Sequence, residues 1–169
     1  RLVSKTAVEK GLAAPARRPK QTTSVQEKED GNLKSQKILL TWMIEDHSVF
    51  SQVKTYLSPE DFTGRIYREV AELLYKQYEE GSVNPARILN HFTDEEEHRE
   101  AASLFHTKIR ELSTKEEQEK ALKETVIRVK NHSIEEAGRT LDPTDIRGLQ
   151  KLMEAKKDLQ KLFQMQISI

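Results

Sequence analysis

The sequence contains no cysteine, and this absence excludes a disulfide framework and zinc sites built from thiolates. Net charge is also absent, because 28 lysine and arginine residues balance 28 aspartate and glutamate residues. No global basic field therefore attracts the chain to nucleic acid. Apolar runs stay well short of the roughly 20 residues that a membrane span needs, which predicts a protein outside the membrane. A reducing cytosol is compatible with these absences.

Signatures of catalysis are missing as well. The sequence has no phosphate-binding GxxxxGK(S/T), no dinucleotide-binding GxGxxG and no nucleophile-bearing GxSxG. Glu95 and His98 have the spacing of half a di-iron carboxylate site, but that site needs a second copy and two further helical glutamates. The five histidines form no HExxH pair. We therefore predict no catalytic residue, no metal and no cofactor in this chain.

Helical periodicity is what the sequence does contain, almost continuously from Lys34 onward. Ile38, Leu39, Trp42 and Met43 recur at the three- and four-residue spacing of a buried helix face. Start and stop signals divide the remainder into helices. The predicted starts are Ser58 with Pro59, Asn84 with Pro85, TDEE at 93–96, TKEE at 114–117 and Asp142 with Pro143, and Gly81 is a predicted stop.

This pattern predicts an all-α fold in three parts. Residues 1–33 are polar, carry Pro15 and Pro19 and lack buried periodicity, so we expect a flexible linker. Residues 34–133 hold about six helices, which suits a compact bundle able to fold alone. Residues 134–169 are predicted to form a C-terminal antiparallel helical hairpin. Because the chain begins with Arg1, we expect it to be a piece of a longer polypeptide.

The last predicted helix has an unusually wide apolar stripe. At about 100° per residue, its apolar residues cover an arc of roughly 200°, whereas one packed neighbour needs about 100°. Lys156 falls near the middle of that arc. The apolar residues concerned are Ile146, Leu149, Leu152, Met153, Leu159, Leu162 and Phe163.

Residues 37–92 carry a recognisable helical pattern. An apolar first helix is followed by an acidic turn at Glu45 and Asp46, then by Asp61 and Phe62, and then by a helix that ends with Tyr78 and Gly81. This pattern resembles a module shared by the C-terminal helicase-binding domain of bacterial primase (DnaG family) and the N-terminal domain of the replicative helicase (DnaB family). The long helix and hairpin that follow, in place of an ATPase motor, resemble the primase domain.

The resemblance implies a bacterial, cytoplasmic, non-catalytic domain that binds the N-terminal domains of the replicative helicase hexamer. It would couple primer synthesis by the parent primase, a DNA-directed RNA polymerase, to DNA unwinding. The hairpin would be the main contact, so one part of the wide stripe packs inward and the rest meets the helicase. The partner-binding residues predicted in this way are Ile146, Leu149, Met153, Lys156, Lys157, Gln160, Phe163 and Ile167.

Several alternatives stay open at the level of sequence. The whole stripe can pack back on the bundle or pair as a coiled coil, which would make the chain a scaffold like the helicase N-terminal module. Lys156 can face a partner carboxylate, or its ammonium can extend to water over a packed stem. In a nucleic-acid-binding module, segments 127–132 and 154–161 would contact phosphate, although Glu154 and Asp158 are interleaved with the lysines.

Overall fold

A computed structural model of the chain describes residues 21–106, 114–164 and 166–167, with side chains from residue 31 onward. This part is helical with no strand, which confirms the predicted all-α fold. A short 3₁₀ turn, Pro59–Asp61, lies between the second and third helices. The α-helices are α1 (Gln21–Glu45), α2 (His47–Val53), α3 (Arg65–Glu79), α4 (Pro85–Leu89), α5 (Glu95–His106), α6 (Lys115–Thr140) and α7 (Ile146–Gln164).

Three of the predicted helix boundaries are confirmed by their hydrogen bonds or backbone conformation. The Asn84 side chain accepts from the N–H groups of Ala86 and Arg87, with Pro85 at the first helical position. Thr114 Oγ1 accepts from the Glu117 N–H at the start of α6. Gly81 has φ +86°, the left-handed conformation that ends a helix with least strain when the residue is glycine.

Two predicted starts are displaced toward the C-terminus. At α5, Asp94 Oδ1 accepts from the N–H groups of Glu96 and Glu97, so Asp94 takes the capping role predicted for Thr93. At α7, Asp145 Oδ1 accepts from the Gly148 N–H, whereas Asp142 closes the preceding turn by accepting from the Asp145 N–H at 2.9 Å. Pro143 therefore lies in a turn, and α7 begins at residue 146.

The core lies where α1, α2, α3, α5 and α6 meet. Leu39, Leu40 and Met43 of α1 are fully buried in it. Tyr78 of α3 stacks on Phe50 of α2 with ring centroids 3.7 Å apart, and its hydroxyl donates to the Met43 carbonyl. Further buried members are Val49, Val53, Leu57, Phe62, Val70, Leu74, Ile88, Phe92, Ala101, Leu104, Leu122, Val126 and Val129.

The first helix begins earlier than predicted. Residues 21–33, placed in the linker from their polar composition, belong to α1, and residues 1–20 lie outside the described residues. The buried face of α1 continues upstream of its apolar residues through Ser35 and Gln36. Gln36 Nε2 donates to Thr63 Oγ1 at 2.7 Å, and its Oε1 accepts from the Gly64 N–H. Because these buried side chains are polar, apolar periodicity does not reveal them.

The hairpin forms, but it shares a helix with the bundle. α6 runs without a break through the predicted boundary at 133–134, and α7 returns antiparallel along it. Lys123 Nζ donates to the Phe163 carbonyl at 2.9 Å, which fixes the end of α7 against the first half of α6. Leu162 and Ile167 are buried within the core cluster. The end of α7 therefore completes the core, which the division at residue 133 did not anticipate.

Candidate protein-interaction surface

The wide apolar arc of α7 divides into two faces. Leu152, Leu159 and Leu162 turn toward α6, with Leu162 fully buried and the other two partly buried. The other apolar residues of the arc point about 100° away from this direction. Packing against α6 therefore covers only one half of the arc. This outcome agrees with the expectation that part of the stripe packs inward.

The uncovered half forms one line along the helix, which we call the outer stripe. Its six members are spaced by three or four residues, extend over about 26 Å at 1.5 Å per residue and fall within about 100° of arc. Four of them are apolar side chains with large exposed fractions. The outer stripe consists of Ile146 (70% exposed), Leu149 (40%), Met153 (61%), Lys156, Gln160 and Phe163 (60%).

Seven of the eight residues predicted to bind a partner are exposed on this side of the protein. They are the six residues of the outer stripe and Lys157, which borders it. Ile167 is the exception, because it is only 6% exposed and packs in the core. Residue 167 lies beyond the last helical residue, Gln164, so helical periodicity does not govern its direction.

The outer stripe lies in a basic setting. α7 carries five basic residues, namely Arg147, Lys151, Lys156, Lys157 and Lys161, against the two acidic residues Glu154 and Asp158. Lys161 Nζ lies 3.9 Å from Asp158 Oδ1. Within the described part of the chain, Lys156 and Lys157 have no carboxylate at ion-pairing distance. Both ammonium groups are therefore available to form ion pairs with carboxylates on a partner surface.

The turn before α7 is held by its own side chains. Asp142 Oδ1 accepts from both the N–H and the hydroxyl of Thr144, at 2.9 and 2.8 Å. These hydrogen bonds hold the pKa of the Asp142 carboxyl below its usual value. Since the Asp145 side chain caps the helix directly afterwards, the start of the outer stripe at Ile146 has a defined direction.

A buried ion pair lies at the middle of α6, and the sequence pattern did not reveal it. Lys130 Nζ lies 3.2 and 3.3 Å from the two carboxylate oxygens of Asp61, and both side chains are about nine-tenths buried. Lys130 follows the buried Val126 at helical spacing, so a cation on the apolar face of α6 was the available signal. The acidic partner lies 69 residues away.

Other polar side chains in the described part of the chain make local ion pairs. Glu95 pairs with Arg99, and His91 Nε2 lies 3.5 Å from Glu69 Oε2. Among residues 21–106, 114–164 and 166–167, no group of three histidine, aspartate or glutamate side chains is arranged to hold a metal ion. The helices in this part of the chain all fall short of the combined length and hydropathy of a membrane span.

No protein-family model, curated protein or solved structure matches the chain.

Proposed function

We propose that this chain is a non-catalytic interaction domain of the bacterial primase type, which binds the N-terminal domains of a replicative helicase hexamer. In the bacterial cytoplasm it would couple primer synthesis by its parent polymerase to DNA unwinding. The exposed outer stripe of α7 is the observation that carries this proposal. The helical pattern of residues 37–92 and the antiparallel arrangement of α6 and α7 are consistent with it.

The arrangement of the exposed apolar groups supports a protein partner. Single apolar side chains on a protein surface need no explanation, but a continuous line of them does. Met153 and Phe163 are suited to be anchors, since methionine adapts to a partner surface and aromatic rings bury large areas. Lys156 and Gln160 lie between these two anchors and add charge and hydrogen-bonding capacity to the apolar contact.

Charge favours an acidic partner over a second copy of this chain. Lys156 and Lys157 lie near the middle of α7, so two outer stripes packed antiparallel would bring these cations together. Like charges that face each other across an interface oppose association. A helicase surface that combines apolar residues with carboxylates would avoid this repulsion.

Nucleic acid is a weaker alternative because one of its two candidate segments is already engaged. Within segment 127–132, Arg128 Nη1 donates to Ser35 Oγ at 3.3 Å, and Lys130 is buried against Asp61. The His132 ring lies 2.9 Å from the Asn32 amide nitrogen. These groups hold α6 against α1 and the 3₁₀ turn, and the buried Lys130 is not free to contact phosphate.

The direct test is the affinity for purified N-terminal domains of a bacterial replicative helicase. Met153→Ala and Phe163→Ala should each weaken binding by about 1–3 kcal/mol, the range for buried anchors. Gln150→Ala is the matched control, because Gln150 is exposed on α7 outside the stripe. Equal affinities for all three variants would contradict the proposal. Concentration-dependent mass of the chain alone, abolished by Met153→Ala, would favour self-association instead.

The role of Lys156 is tested by charge reversal at two salt concentrations. Lys156→Glu should weaken binding, and the loss should shrink at high salt because exposed charges are screened. Lys161→Glu is the control for the change in net charge, since Lys161 lies outside the stripe beside Asp158. Equal effects of the two reversals would leave Lys156 without a specific partner. Strong binding of single-stranded DNA that falls steeply with salt would favour the nucleic-acid alternative.

A further inference from the structure

Asp61, Lys130 and Ser133 form a buried triad in which every carboxylate oxygen is occupied. Lys130 Nζ contacts both oxygens of Asp61, and Ser133 Oγ donates to Oδ1 at 2.7 Å. The Ser58 N–H donates to Oδ2 at 2.9 Å. The side chains of Asp61 and Lys130 are each 9% exposed. A satisfied network of this kind has one preferred geometry, because any displacement breaks several hydrogen bonds at once.

The aspartate is held from the bundle side as well. Arg68 Nε donates to the Phe62 carbonyl at 3.1 Å, and its Nη2 donates to the Glu60 carbonyl at 3.2 Å. These bonds tie the 3₁₀ turn to α3 on both sides of Asp61. The Asp61 carboxylate is therefore held in a fixed position on the bundle, and Lys130 attaches α6 to this carboxylate.

The triad lies where α6 leaves the core. Leu122, Val126 and Val129 are buried before it, Ile134 is buried just after it, and residues 135–140 of α6 are exposed or only partly buried. We call residues 135–152 the hairpin tip. The far end of α7 is fixed to the core by Leu162. The tip lies between these two attachments.

A groove separates the tip from the bundle. Its volume is about 480 Å³, and it opens between Glu60 and Arg68 on one side and Lys151, Leu152 and Ala155 on the other, with the triad at its floor. Among the described residues, no hydrogen bond or ion pair joins the tip to the bundle across this space. About ten residues of α6 lie beyond the triad, or about 15 Å, so a rotation of about 15° there displaces the tip by about 4 Å.

Stability alone does not account for the triad. Replacing a buried ion pair by apolar side chains of similar size is often neutral or stabilising, because burial removes both charges from water. Removing one partner is costly, since it leaves the other charge buried and unpaired. A buried pair can instead specify one geometry among several of similar energy. Because the triad lies at the base of the tip, the geometry that it would specify is the direction of the tip.

We propose that the buried triad sets the direction in which the hairpin tip leaves the bundle, with Asp61 acting through Lys130 as a positioning residue for the start of the outer stripe. Ile146 and Leu149 lie on the tip, whereas Phe163 lies at the end of α7 that is fixed to the core. The triad therefore controls where the start of the stripe lies relative to the bundle. This role of the triad does not depend on which molecule covers the stripe.

Spin labels measure the direction of the tip in the whole chain. The sequence has no cysteine, so labels attach only where cysteine is introduced. Glu72→Cys on α3 with Gln150→Cys on the tip reports the angle, and Glu72→Cys with Lys54→Cys is the control pair inside the bundle. All three positions are exposed. When the triad is unmodified, we expect double electron–electron resonance to give a narrow distribution of label-to-label distances for both pairs.

The decisive variant is Asp61→Asn combined with Lys130→Met, which leaves no unpaired buried charge. We expect it to fold with nearly unchanged stability, to broaden or shift the α3-to-tip distribution and to leave the control pair narrow. Arg139→Gln, which removes the exposed pair with Glu136 on the same helix, should leave both distributions unchanged. A folded double variant with an unmoved tip would overturn the proposal. A double variant that fails to fold would also overturn it, because the triad would then be needed for folding and not for direction.

Milder changes give a graded check. Ser133→Ala keeps both charges and removes one hydrogen bond to Asp61, so a smaller broadening is expected. Lys130→Arg retains the charge and should move the tip less than Lys130→Met does, whereas equal displacements would contradict a role for the ion pair. Helicase affinity is a separate readout that rests on the proposed function. A displaced tip with unchanged affinity would count against helicase binding at the tip and leave the triad's role intact.

Discussion

Leu162 and Phe163 are neighbours on α7 with opposite environments. Leu162 is fully buried between α6 and the core, whereas the Phe163 side chain is 60% exposed on the outer stripe. The same contrast extends along the helix, since Leu152 and Leu159 pack inward while Leu149 and Met153 face outward. Two faces of similar apolar character therefore have different environments. Exposure, and not hydrophobicity, distinguishes the outer stripe from the face that packs in the core.

Removal of α7 should produce the largest effect. A chain that ends after Thr140 loses the buried Leu162 and Ile167, and each fully buried side chain contributes about 1.5–3 kcal/mol. The typical free energy of unfolding is only about 5–15 kcal/mol. We therefore expect thermal unfolding followed by circular dichroism to lose its cooperative transition or to shift far downward. An unchanged transition would instead support the sequence-based expectation that residues 34–133 fold alone.

The contrast between neighbours predicts a second, smaller effect. Leu162→Ala leaves a cavity in the core and should lower the free energy of unfolding by about 2–5 kcal/mol in a urea titration. Phe163→Ala should change it by about 0.5 kcal/mol or less, because the ring is mostly in solvent. The two variants serve as each other's controls. Similar losses for both would mean that the outer stripe is part of the core after all.

Weakening the start of α7 should have the smallest effect on stability. Asp145→Ala removes the side-chain acceptor of the Gly148 N–H, and loss of such a cap costs about 0.5–2 kcal/mol. Hydrogen exchange of the Gly148 N–H should accelerate, while amides near Leu162 should stay protected. Glu154→Gln is the control, since Glu154 is exposed and caps nothing. Uniform acceleration along α7 would show that the two ends of the helix are not independent.

Local chemistry predicted helix boundaries well where one residue had no rival. Gly81 and Asn84 act as expected, because a left-handed stop and an Asn-Pro start depend on a few adjacent atoms. The helix caps predicted at Thr93 and Asp142 were wrong, because each residue is followed by a second side chain that can cap. Asp94 follows Thr93, and Asp145 follows Asp142. Which of two neighbouring caps is used depends on where the packed helix begins. Sequence spacing does not contain that information.

The candidate site was predictable in composition but not in geometry. The spacing of apolar residues on α7 predicted the four apolar positions of the outer stripe, but it carries no information at Ile167, where the helix has ended. The buried triad was not predicted, because Asp61 and Lys130 meet only when α6 packs over the 3₁₀ turn. A lysine on an apolar helix face can be buried against a carboxylate, as Lys130 is, or be exposed, as Lys156 is, and the sequence pattern does not distinguish the two.

The sequence by itself determined that the chain is helical and that its last helix carries more apolar surface than one neighbour can cover. Both properties follow from periodicity and capping, which act over one or two turns of helix. Only the tertiary structure decided which half of that surface is covered, how far α1 extends upstream and where the hairpin is anchored. These outcomes depend on contacts between residues far apart in the chain, such as Asn32 with His132 and Lys130 with Asp61. Long-range packing selects among the arrangements that local pattern permits.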